Sequence, residues 1–192
     1  MSPRIPGQAY LYDQPIYDTV RLAAAAGPLT YNFFTVPLHG LLAAALPKTY
    51  VHTNLINTGV LEKGFTFQIT GLSLYLNETA QGGAVVTYAD ALTAHHGDIR
   101  LMVGQREYLR LPAAMIPAGG AELIYFSNIT PAATEFHTNR GVSAISNRFH
   151  LTSPIDIESQ ESIVCEYTVV GTIAAVTDIT LVLWGNMQRT VS

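Results

Sequence analysis

The chain has 192 residues, enough for one domain that buries a full apolar core without covalent staples. Charged residues make up 12% of it, against about a quarter in an average soluble domain, and the formal net charge is −4. Lys48 and Lys63 are the only lysines and the arginines are scattered, so no basic cluster offers itself to a phosphate backbone and direct nucleic-acid binding is not expected.

A surface this poor in charge is expected to be covered by other subunits. No run approaches the roughly 20 apolar residues of a membrane-spanning helix. No basic stretch followed by an apolar one opens the chain, so synthesis in a cytoplasm is expected, and the glycosylation-type triplets at Asn77 and Asn128 read as chance. Cys165 is the single cysteine, which rules out an intrachain disulfide.

Residues 1–15 carry Pro3, Pro6 and Pro15 together with Tyr10, Leu11 and Tyr12. Proline keeps such a segment extended, and the side chains at 10–12 give it area to bury. It reads either as a frayed terminus or as an arm docked on a neighbour, with Tyr10, Leu11 and Tyr12 as the candidate subunit contacts. Because proline removes ladder donors, the arm is not expected to pair within its own sheet. Residues 16–192 read as one domain.

"IYDTVRL" (16–22) and "TYNFFTV" (30–36) read as strands, and "HGLLAAALP" as a helical turn or a buried loop. In "FTFQITGLSLYL", Phe65, Phe67 and Ile69 are odd while Leu72, Leu74 and Leu76 are even. Alternate side chains of a strand point to opposite faces, so one extra residue moves all later ones across. The change of parity therefore places a β-bulge at Thr70-Gly71, where glycine relieves the crowding. A short helix is expected over 84–95, where "VVTYADALTAHH" (85–96) supplies the Ala and Leu content and the Thr87-to-Asp90 spacing. "DIRLMVGQREYLRLP" reads as a hairpin about Gly104-Gln105, a pair compatible with a type II′ turn. "AELIYFS" is a further strand, 128–146 a long surface loop, and "NRFHLTSPIDI", "ESIVCEYTVV" and "DITLVLWGNMQRTV" the closing strands. About eight to ten strands, one short helix and no βαβ rhythm give an all-β sandwich or barrel with Greek-key-like connections.

No catalytic motif stands out. "GVSAIS" lacks the second glycine of a nucleophile elbow, and no glycine-rich phosphate cradle precedes a helix. His95 and His96 are adjacent, so on a strand they would point opposite ways; with Asp98 they could reach a metal only from a loop. No metal, cofactor or small-molecule substrate is expected, and the chain does not read as an enzyme. Cys165 alternates with Ile163 and Tyr167 and reads as a core residue, since no basic neighbour lowers its pKa. Trp184 is expected in the core. The ten tyrosines could form a sugar platform, but most sit in strands, where packing or an interface accounts for them.

The strings "YNFFTVP", "TNLINTGVLEKGFTFQITGLSLYL", "IRLMVGQREYLRLPAAMIPAGG", "FHLTSPIDIESQESIVCEYTV" and "ITLVLWGNMQRTV" together resemble small jelly-roll capsid proteins of tailless icosahedral viruses, over residues 16–191. That resemblance implies a single jelly-roll β-sandwich that self-assembles into a shell. Its partners would be copies of itself, other virion proteins and an internal membrane; its location would be the virion. Two alternatives stand beside it: a virion spike or receptor-binding head that trimerises, and a cupin-like metal-dependent enzyme.

Overall fold

The computed structural model describes residues 9–43, 46–76, 94, 96–116, 123–130, 133–139, 148–174 and 176–190. In chain order the strands are β1 (Ala9–Tyr12), β2 (Ile16–Leu22), β3 (Leu29–Phe33), β4 (Leu41–Ala43), β5 (Leu46–Pro47), β6 (Phe65–Leu76) and β7 (Asp98–Val103). They continue as β8 (Arg106–Pro112), β9 (Leu123–Thr130), β10 (Ala133–Asn139), β11 (Phe149–Ile157), β12 (Ile163–Val169) and β13 (Thr177–Thr190). All pairings between them are antiparallel. Among the described residues no helix reaches seven residues.

Alternation makes the strands and decides what they bury. On β12, Ile163, Cys165, Tyr167 and Val169 are buried while Val164, Glu166 and Thr168 are not. β12 lies between β3 and β7, and β8 completes that sheet. In the other sheet β13 is flanked by β6, then β11, on one side. On its other side β2 pairs with Thr177–Leu183 and β1 with Met187–Thr190, so two strands in succession share one edge. This sheet is thus four strands wide. β4–β5 and β9–β10 are separate hairpins. The inner faces of the two sheets meet in one core, with Ile16, Leu72, Leu74 and Leu183 from one and Phe33, Ile99, Leu101 and Tyr167 from the other. Each such side chain contributes about 1.5–3 kcal/mol through burial. The result is a sandwich-like all-β fold.

The parity change in β6 has a geometric counterpart. Gly71 is the register partner of Trp184, but Gly185 faces Ile69, so Thr70 is an extra residue on β6. Phe67 and Ile69 before it, and Leu72, Leu74 and Leu76 after it, are all buried. One residue thus keeps a twelve-residue strand facing the core throughout. A Cβ on Gly71 would lie 2.8 Å from the carbonyl oxygen of Phe149 on β11. Gly71→Val is therefore expected to lose about 1–3 kcal/mol, read as a lowered melting temperature.

Several expectations are revised. Residues 9–12 do pair in their own sheet, as β1: prolines 3, 6 and 15 flank these four residues, and every N–H from Ala9 to Tyr12 is free to donate. Residues 1–8 lie outside the described residues. "HGLLAAALP" is neither helix nor loop, because Leu41–Ala43 and Leu46–Pro47 pair as a hairpin. Much of the stretch 128–146 is strand: Ala133–Asn139 folds back on Leu123–Thr130, and a hairpin takes its register from the connection between its strands. The helix expected over 84–95 falls, apart from Ala94, outside the described residues. The turn between β7 and β8 has Gly104 at φ +60°, the positive value a primed turn needs.

Candidate functional site

β2 carries one aspartate on its apolar side. Asp18 has the parity of Ile16, Val20 and Leu22 and pairs with Leu181, so its fully buried carboxylate points into the core. Lys48, which follows β5, reaches it with Nζ 2.6 Å from Oδ1 and a side chain only 3% exposed. The other oxygen accepts the Phe34 N–H at 2.6 Å. Phe34 has φ +67°, a left-handed conformation that bulky residues rarely adopt, and the carboxylate fixes it there. Burial pushes the Asp18 carboxyl above the ordinary carboxylate range, against the opposing pull of the Lys48 ammonium. Sealed from solvent and bonded on both oxygens, this pair anchors structure.

The segment after the anchor forms a closely bonded turn. Lys48 N–H donates to the Gly40 carbonyl at 2.7 Å, and His39 N–H to the Lys48 carbonyl at 3.0 Å. His52 and Thr53 N–H groups both donate to the Thr49 carbonyl, at 2.8 and 3.1 Å. The ring Nδ1 of His52 accepts the Thr49 N–H at 3.0 Å, and the Tyr17 hydroxyl donates to the Tyr50 carbonyl. At the tip Tyr50 and Val51 are 64% and 82% exposed. Asn54 ties the far side of the turn to β2, accepting from Tyr17 N–H at 3.1 Å and donating to the Pro15 carbonyl at 2.7 Å. Next to the turn lies an apolar groove of about 160 Å³, walled by Ile16, Ile56, Leu61, Phe65 and Met187, with Gln14 and Glu62 on its rim.

The sequence candidates sit around this end or apart from it. Tyr10, Leu11 and Tyr12 are on β1, opposite Arg189, Gln188 and Met187, and Leu11 is 64% exposed. Gly71 is in mid-sheet, on the face turned from the core, beside Trp184. Trp184 itself is half-buried on that outer face: its Nε1–H donates to Ser73 Oγ at 2.9 Å and the Arg148 guanidinium lies 3.6 Å above its ring. Its parity opposes that of Leu183, which takes the core position. Asp98 accepts a bond from Arg110 at 2.9 Å, His96 is exposed, and His95 lies outside the described residues. His150 is exposed on β11. Among the described residues no group of three or more His, Cys, Asp or Glu is placed to hold a metal ion.

Cys165 is fully buried on β12, and burial, reinforced by Glu166, pushes its thiol far up. It should therefore resist a maleimide in the native protein and react in denaturant; labelling of the folded protein at the unfolded rate would contradict this burial. Sequence reasoning missed Asp18, Lys48 and Tyr50. Only Asp18 carried a signal, as the single acid on the apolar side of β2.

No protein-family model matches this chain, and no curated protein matches it in sequence.

Proposed function

We propose that the protein is a structural subunit of capsid type: a single jelly roll that assembles with copies of itself, and with other virion proteins, into an icosahedral shell. The observation that carries this reading is the nesting of strand pairs. With β1 and the two small hairpins set aside, eight strands remain, paired β2–β13, β3–β12, β6–β11 and β7–β8. First pairs with last, second with next to last, and so inward. A long antiparallel ribbon rolled on itself gives that nesting, and eight-stranded jelly rolls recur in viral capsids, lectins and cupins.

Two further features favour the shell among these. Charged residues are 12% of the chain, about half the usual share, which leaves few charges to keep the surface in water. Large apolar side chains are exposed at several places, among them Tyr50 at 64% and Val51 at 82% side by side on one turn, with Ile56 at 55% shortly after it in the chain. Contiguous exposed apolar area favours a surface that a partner covers. On this reading the functional residues are contact surfaces, β1 with Tyr10, Leu11 and Tyr12 stays paired with β13 and offers its outer edge to a neighbour, and the protein works in the virion without catalysis.

Light scattering and electron microscopy of the purified protein test the proposal. Capsomers or closed shells of uniform size are the expected result. A monomer of 20.8 kDa at every soluble concentration would overturn it, and discrete trimers alone would replace it with a spike head.

A further inference from the structure

The turn Thr49–Thr53 and the groove beside it are matched in size and chemistry. The groove has about 160 Å³ of room and apolar walls, with the polar side chains of Gln14 and Glu62 at its rim. A cavity of about 150 Å³ lined by aliphatic and aromatic side chains holds a benzene-sized ring. Tyr50 offers such a ring at 64% exposure, and its hydroxyl calls for polar partners when the ring is buried. Val51, at 82% exposure, adds apolar area at the same tip.

The main chain that carries Tyr50 is held on both sides. Its carbonyl accepts the Tyr17 hydroxyl, and the residues on either side are fixed through the Thr49 carbonyl, the His52 ring and the Asp18–Lys48 pair. A turn held this way loses little backbone freedom on docking, which favours binding. The neighbourhood is also charge-matched to itself: Glu62 on the groove rim and Lys63 next to it are exposed and opposite in sign, so two copies facing each other here meet no net repulsion.

We propose that the Tyr50–Val51 tip of one copy of this chain inserts into the groove walled by Ile16, Ile56, Leu61, Phe65 and Met187 of a second copy. The Tyr50 ring fills the groove and its hydroxyl meets Gln14 or Glu62 at the rim. Because tip and groove share one end of the sandwich, two copies can exchange plugs about a twofold axis, or a ring of copies can pass the contact around. The proposal rests on the assembly reading above and names the surface through which copies meet.

Two variants separate the halves of the contact. Tyr50→Ala removes the plug and leaves the groove; Ile56→Trp fills the groove mouth and leaves the plug. Both side chains are exposed, so circular dichroism and melting temperature should match those of the unaltered chain, which shows that folding is not at issue. Sedimentation of the full chain should show self-association weakened about tenfold or more in each variant, the loss expected when a buried tyrosine anchor or its pocket is removed. Tyr50→Phe, which keeps the ring, should retain most of the association. An equimolar mixture of Tyr50→Ala and Ile56→Trp should associate more strongly than either alone, since each supplies what the other lacks. Unimpaired association of both variants would overturn the inference while leaving the assembly reading standing. No association of the unaltered chain would overturn both.

Discussion

Lys48→Met is expected to destabilise the protein by about 3–5 kcal/mol, since it strips the partner from a carboxylate that has no access to water. The side chains of Asp18 and Lys48 are 0% and 3% exposed, so bulk solvent cannot take the place of the ammonium. A stranded carboxylate escapes by taking up a proton, so the loss should shrink as pH falls. The same sign holds for the unaltered chain. Burial raises the Asp18 pKa above its value in the unfolded chain, so the native state holds a proton the unfolded state has already released. Stability from this group is therefore greatest below the ordinary carboxylate range and declines as pH rises from there through the raised value. In Asp18→Asn combined with Lys48→Met both charges are gone, while an amide oxygen can still accept the Phe34 N–H. That pair should recover most of what Lys48→Met loses and should lack the acid-side gain. Chemical denaturation of the three proteins across pH checks this. Equal stability of Lys48→Met and the unaltered chain at neutral pH would show that the ion pair holds nothing together.

What could be read in advance follows from the range of the forces involved. The reversal of apolar parity in β6 is local, and Thr70 and Gly71 carry it in adjacent positions. The same bulge makes a second demand, on Gly185 of β13, and that one is invisible until the two strands are paired. Asp18 advertised itself by sitting among Ile16, Val20 and Leu22, yet its partner lies 30 positions away, where only the folded chain brings it. The prolines near the start argued against any strand before residue 15. That holds at Pro15, which is outside any strand, and says nothing about the four residues between Pro6 and Pro15 that form β1. Trp184 misled because size suggests the core, whereas its parity against Leu181 and Leu183 already assigns it to the other face. The Tyr50–Val51 tip left no trace in any periodicity: exposure on a turn is decided by which neighbouring atoms hold the turn up.

Gly185→Ala should be the most damaging single-methyl change in the protein. Gly185 faces the bulge, directly across from Ile69, on the side of β13 that also carries Leu183 and Met187 toward the core. A Cβ there would stand 1.8 Å from the carbonyl oxygen of Gln68, 2.8 Å from its carbon and 2.9 Å from Cζ of Phe67. Two of these three atoms are backbone, held by the ladder that pairs Asn186 with Gln68 and Met187 with Phe67. They can retreat only by opening the join between the two longest strands. Gly71, by contrast, meets a single close backbone atom, on β11, which is the edge strand of its sheet and already slips register between His150 and Ile155. An edge strand can shift; β13, paired on both sides, cannot. The expected loss at Gly185 is more than about 4 kcal/mol, a value seen only for mechanisms of this severity. Domains hold about 5–15 kcal/mol in all, so Gly185→Ala should be largely unfolded or insoluble when expressed. Asn186→Ala, one residue along and turned to the other face, should stay within about 1 kcal/mol of the unaltered chain. Thermal unfolding of the two variants side by side decides the matter. A Gly185→Ala protein that melts within a few degrees of Asn186→Ala would mean that β6 and β13 do not approach so closely at the bulge.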